Sequence, residues 1–158
     1  MLKNATGKTK KLLYKVADLY IEVFDGVVID EKLSLPNFLP FQCPEDLQIS
    51  TSLRITLKPI SDCPKLKSLR LLIEDTVPWN DRYKFEETQN LYITSIIGTT
   101  DSNTWKMLSS RDFLDSTIFV NTNEVYSTTK LSWLIMVAFG QACLNFNVML
   151  IHASVVEF

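Results

Sequence analysis

Apolar and polar residues alternate along most of the first three quarters of the chain. The pattern is clearest over residues 47–58, where the odd positions are apolar except Thr51 and the even positions are polar or charged. Alternation with a period of two residues is typical of a half-buried strand. Further apolar segments predict strands at 12–24, 68–77, 82–87, 90–98, 105–108 and 116–121.

The last thirty residues follow a different pattern. Thr128 and Thr129 are suited to cap a helix that starts near Lys130, and residues 145–147 read as its stop. This helix is apolar nearly all round, so it is expected to be buried between the sheet and another layer. The β-branched residues that follow predict a strand. A helix of about sixteen residues followed by a strand is too short to span a bilayer, which argues against a membrane protein.

These elements predict an α+β fold in a single domain, 1–158. The expected architecture is a mostly antiparallel sheet of short strands, one long buried apolar helix near 129–146, and a C-terminal strand at 148–157. Residues 1–11 are expected to form a flexible basic tail. No apolar segment of the kind found in signal peptides follows the lysines of this tail, so the sequence predicts a cytoplasmic protein.

Charge and cysteine content narrow the functional classes. The net charge of −2 lacks the basic excess of a nucleic-acid-binding protein, so no nucleic-acid partner is expected. Cys43, Cys63 and Cys143 are widely spaced, which indicates reduced thiols rather than a disulfide framework. One histidine, His152, and no cysteine pair do not suffice for a zinc site, so no metal is expected.

Candidate catalytic motifs are weak. Gly7-Lys8-Thr9 resembles the end of a phosphate-binding loop, but Leu2 stands where GxxxxGK[ST] requires its first glycine. Cys143 and His152 would form a nucleophile–base pair only if the fold brought them together. Because Cys143 lies in an apolar helical segment, the sequence favours a buried, inert thiol. No catalytic residue is predicted.

The segment from Leu131 to Phe158 resembles the region before the phosphate loop in the HPr kinase and phosphoenolpyruvate carboxykinase-like superfamily. Residues 150–156 (LIHASVV) match the family strand, in which two hydrophobic residues precede a histidine and two small residues. Residues 131–134 (LSWL) and 137–140 (VAFG) fit the helix before that strand. The resemblance covers about a fifth of the chain.

The resemblance implies a longer parent protein that phosphorylates a serine of a small protein or peptide, with ATP and Mg²⁺ as cofactors. It places the phosphate loop beyond Phe158, so the chain as given is expected to be non-catalytic and to bind no cofactor of its own. Its implied role is that of an N-terminal domain that recruits substrate or acts as a lid. His152 matches the family histidine near the nucleotide and is the cofactor-binding candidate in a complete parent.

An alternative hypothesis is a free-standing protein-interaction module. The predicted C-terminal strand is apolar, and an exposed edge of that kind pairs with other chains. Both hypotheses therefore predict a partner for this strand, which would be a second copy of the chain or a missing C-terminal kinase core. The residues expected to form this interaction strand are Val148, Leu150, His152, Ser154 and Val156.

Overall fold

A computed structural model describes residues 10–27, 35–47, 49–76, 82–97, 104–121 and 128–149. Within these ranges the chain forms one mixed sheet of nine strands and one α-helix. The strands are β1 (Lys10–Val16), β2 (Leu19–Asp25), β3 (Gln42–Cys43), β4 (Leu53–Pro59), β5 (Arg70–Thr76), β6 (Arg82–Glu87), β7 (Leu91–Ile97), β8 (Trp105–Ser110) and β9 (Asp115–Val120). The helix α1 is Thr128–Cys143, and short 3-10 helices are Pro36–Phe41, Ile60–Asp62 and Leu144–Phe146.

The strand order across the sheet is β3-β1-β2-β4-β9-β8-β7-β6-β5. β4 lies parallel to both of its neighbours, β2 and β9, whereas the remaining neighbours are antiparallel. From β4 the chain runs through residues 60–69, the crossover, to β5 at the far edge. Strands β5 to β9 then return as an antiparallel meander, so β9 ends beside β4.

β4 lies at the centre of the main core. Its side chains point alternately to the two faces of the sheet, and those on one face are buried. Leu53, Ile55 and Leu57 are fully buried, while Arg54 and Lys58 are exposed on the opposite face. The buried face packs against α1, which lies over one side of the sheet. The helix contributes Leu131, Leu134, Ile135, Ala138, Phe139, Ala142 and Cys143 to this core.

The face of the sheet away from α1, the open face, carries charged side chains and one small apolar cluster. Glu22 forms ion pairs with Lys11 and Arg54, with N–O distances of 3.4 and 3.7 Å. The apolar cluster lies further along the sheet, where the crossover covers it. It consists of Ile93, Leu108 and Phe119 from the strands with Ile60, Cys63 and Leu66 from the crossover.

The predicted fold class is wrong in its sheet and in its last element. The sheet is mixed, because the crossover carries the chain across the open face and lets β9 pair parallel to β4. Val148 and Met149, at the start of the predicted strand 148–157, are not in a strand, and residues 150–157 lie outside the described residues. Asn147 is left-handed (φ 56°), and the Val148 N–H donates to the Cys143 carbonyl at 3.1 Å. This is the closing bond of a Schellman motif, so Val148 caps the helix end.

The helix predicted near 129–146 corresponds to α1 and the 3-10 turn after it. Among the described residues, none of the helices has the length and apolar character needed to cross a membrane. Residues 1–9 of the predicted basic tail lie outside the described residues, and Lys10 and Lys11 begin β1.

The prediction of one strand over 12–24 is also wrong. Ala17 and Asp18 both have positive φ, 49° and 62°, and join β1 to β2 through a two-residue hairpin. Two consecutive left-handed residues are the geometry of the type I′ turn, which usually selects Gly or Asn. Asp25-Gly26 in the sequence also predicts a turn into a hairpin with residues 27–30, of which 28–30 lie outside the described residues.

The left-handed turn predicts that Ala17→Gly stabilises the protein. At φ 49° the Cβ of alanine is sterically unfavourable, and glycine removes this cost. The free energy gained in the folded state exceeds the stabilisation of the unfolded chain by the greater conformational entropy of glycine. We expect the free energy of unfolding in urea to rise by about 0.5–1 kcal/mol. Ala138→Gly is the matched control, because at a fully buried helical position the same change should cost about 1 kcal/mol or more. A loss of stability in Ala17→Gly would contradict the assigned turn.

Candidate functional site

A cavity of about 700 Å³ lies between the crossover and strands β6, β7 and β8 on the open face of the sheet. Its volume is within the range of small-molecule binding sites. The wall is partly apolar and partly polar. The lining residues are Ile60, Cys63, Pro64, Lys65, Leu66, Leu69, Glu86, Ile93, Thr104 and Lys106.

Local sequence explains how the crossover comes to roof this cavity. Pro59 has extended backbone angles (φ −65°, ψ 148°) and ends β4, after which a single 3-10 turn redirects the chain. The Cys63 N–H donates to the Ile60 carbonyl at 3.0 Å and closes that turn. Both side chains then point back onto the sheet, where they cover Ile93. The floor is formed by side chains that alternate onto the open face of β6–β8.

Three charged residues line the cavity: Glu86, Lys65 and Lys106. Glu86 is buried, and its carboxylate lies 2.9 Å from the Lys84 ammonium. Burial raises the pKa of the Cys63 thiol, and the positive charge of Lys106 opposes part of that rise. A thiol with a raised pKa is mostly protonated at neutral pH and is a poor nucleophile. The arrangement therefore suits binding better than nucleophilic catalysis.

A second charged cluster, at the turn between β6 and β7, is structural. Arg111 donates to the Glu87 carboxylate at 2.6 Å and to the Gln89 carbonyl at 3.1 Å. Its guanidinium carbon lies 4.4 Å from the centroid of the Tyr92 ring. Arg70 donates to the same carboxylate through Nε at 2.7 Å. Because these partners are all within the chain, the cluster closes the turn rather than presenting a site.

The predicted interaction strand is almost entirely outside the described residues. Leu150, His152, Ser154 and Val156 lie there, while Val148 is half-buried against the main core. The proposed pairing of Cys143 with His152 therefore has no described geometry. Cys143 itself is fully buried, as predicted, and burial raises the pKa of its thiol.

The residues of the cavity were missed by sequence reasoning. Cys63 and Lys106 are distant in sequence, and the sheet brings them together. The available signal was the pair of apolar residues Leu66 and Leu69 in an otherwise polar segment after Pro59, which indicates a loop that lies on the sheet.

Within the described ranges, no group of three or more His, Cys, Asp or Glu side chains is placed to hold a metal ion. No protein-family model, curated protein or solved structure matches the chain.

The environment of Cys63 predicts slow alkylation. At pH 8, iodoacetamide should label Cys63 slowly, because burial raises the pKa of its thiol. Cys43, which is also half-buried, is the internal reference. Lys106→Met should slow Cys63 further, since its charge lowers that pKa. Lys58→Met, an exposed lysine on the same face, is the control and should change neither rate. Peptide mass spectrometry over time measures both cysteines, and faster labelling of Cys63 in Lys106→Met would refute the assignment.

The cluster at Glu87 predicts a pH-dependent contribution to stability. Hydrogen bonds from Arg111 and then Arg70 lower the pKa of Glu87, so the ionised carboxylate favours the folded state. This contribution is present above the ordinary glutamate pKa of about 4.3 and is lost as the pH falls through the lowered folded value. Glu87→Gln should lower the Tm at pH 7 and have little effect near pH 3. Exposed Glu45→Gln is the control, and an equal Tm loss at both pH values would contradict the ion-pair role.

Proposed function

We propose that this chain is the non-catalytic, cytoplasmic N-terminal domain of an HPr kinase-like, ATP-dependent serine kinase. In such a parent the catalytic core binds ATP and Mg²⁺, and this domain recruits the small protein or peptide substrate or acts as a lid. The resemblance of residues 131–140 and 150–156 to the family supports the proposal. The first of these segments lies in α1.

The observation that carries the proposal is the apolar outer side of α1. Its inner residues are buried in the core, yet the outer side is also apolar. Met136 is 48% exposed, and Leu144, just past the helix, is 67% exposed. Trp133 and Val137 beside them are half-buried. A helix that is apolar on all sides is normally buried on all sides, so a second protein layer is expected over this surface.

The alternative hypothesis is a free-standing module that pairs through a C-terminal strand. Val148, the first residue expected in that strand, instead closes the C-terminal cap of α1, and the other four residues lie outside the described residues. The apolar surface on α1 favours packing of a folded layer over pairing of a strand edge.

The coding sequence tests the proposed parent. We expect codons downstream of Phe158 to encode GxxxxGK[ST] after about fifteen residues, because the family places its phosphate loop after the matched segment. The downstream segment, expressed separately, should then bind the 1–158 chain. Met136→Lys should weaken that binding by about tenfold or more, measured by titration calorimetry.

Leu39→Lys is the matched control for Met136→Lys. Leu39 is 52% exposed and lies in a separate element, the 3-10 helix Pro36–Phe41, so its change should leave binding intact. A stop codon without any remnant of the phosphate loop would rule out the parent. Equal losses in the two variants would rule out α1 as the docking surface.

A further inference from the structure

The cavity beneath the crossover combines an apolar wall with a half-buried lysine. Ile60, Leu66 and Ile93 supply large apolar side chains on its roof and floor. Lys106 projects from β8 into the same space, and in the described part of the chain it forms no ion pair with a carboxylate. A half-buried ammonium without an acidic partner is a binding group for an anion.

The charges of the lining leave the cavity with a positive excess. Glu86 is the acidic residue of the lining, and its carboxylate is already paired with Lys84 at 2.9 Å. Lys65 adds a second ammonium at the exposed rim. An uncharged ligand would leave Lys106 unpaired next to apolar surface, and a cationic ligand would be repelled by both lysines.

We propose that this cavity binds a small amphiphilic carboxylate of the medium-chain fatty acid type. The carboxylate pairs with the Lys106 ammonium, and the hydrocarbon tail lies against Ile60, Leu66 and Ile93. Burial of the tail favours binding in proportion to the apolar area removed from water, while the ion pair fixes the orientation. The cavity lies on the opposite face of the sheet from α1, so this binding is independent of the proposed kinase parent.

Cys63 provides a reporter within the cavity. Its thiol lines the space, whereas Cys43 lies at the other edge of the sheet in β3. The experiment compares decanoate, decanol and decylamine, which share a tail and differ in head-group charge. Saturating decanoate should slow alkylation of Cys63 by iodoacetamide about tenfold and leave Cys43 unchanged. Decylamine should give no protection, and decanol should protect only at much higher concentration.

Variants of Lys106 separate the anion site from a merely apolar pocket. Lys106→Met keeps most of the side-chain volume and should raise the Kd for decanoate about tenfold. The Kd is obtained from the dependence of the Cys63 alkylation rate on the decanoate concentration. Lys106→Glu should reverse the preference, so that decylamine protects better than decanoate. Lys58→Met, outside the cavity, should bind decanoate like the unmodified chain.

Four results would overturn the proposal. They are no protection of Cys63 by decanoate, equal protection by decylamine, unchanged affinity in Lys106→Met, and an equal loss in Lys58→Met. Far-UV circular dichroism of each variant establishes that it is folded. If Lys106→Met were unfolded, the reversal of preference in Lys106→Glu would decide the question.

Discussion

Packing of α1 on the inner face of β4 is the contact on which the rest of the structure depends. β4 is the strand with parallel neighbours on both sides, and Leu53, Ile55 and Leu57 on it are completely buried. Truncating a buried Leu or Ile typically costs about 2–5 kcal/mol, against a net stability of about 5–15 kcal/mol for a whole domain. Leu131 and Leu134 of α1 belong to the same buried core.

Packing of α1 on one face of the sheet also explains the positions of the apolar surface on α1 and of the cavity on the open face. α1 covers the inner face and leaves its own outer side, around Met136, as an apolar surface. Among the described residues no α-helix lies on the open face, and the crossover covers the part around Ile93. An incompletely covered sheet face leaves a cavity there, beside the charged floor that includes Lys106. Both surfaces therefore follow from a sheet with a single helix in the described part of the chain.

Local pattern predicts strands well and their connections poorly. Within 47–58 the alternation identified the buried face of β4, although the strand begins only at Leu53. The hairpin at Ala17 and Asp18 gave little signal, because Ala17 is unusual in such a turn and the glycine that commonly follows Asn or Asp is missing. Parallel pairing of β4 with β9 depends on long-range packing that no short window contains. The cavity was missed for the same reason, since its residues meet only after the sheet has formed.

The pairing of β4 with β9 has a consequence for synthesis of the chain. Arg54 lies opposite Asp115, so the central pair joins residues about sixty positions apart, and such non-local contacts slow folding. At ribosomal speeds of about 5–20 residues per second, β4 emerges roughly 3–12 seconds before its partner. During that interval the nascent chain holds an apolar strand with neither β9 nor α1 to cover it. Chaperone engagement on the ribosome is therefore expected to matter more for this protein than for one built from local hairpins alone.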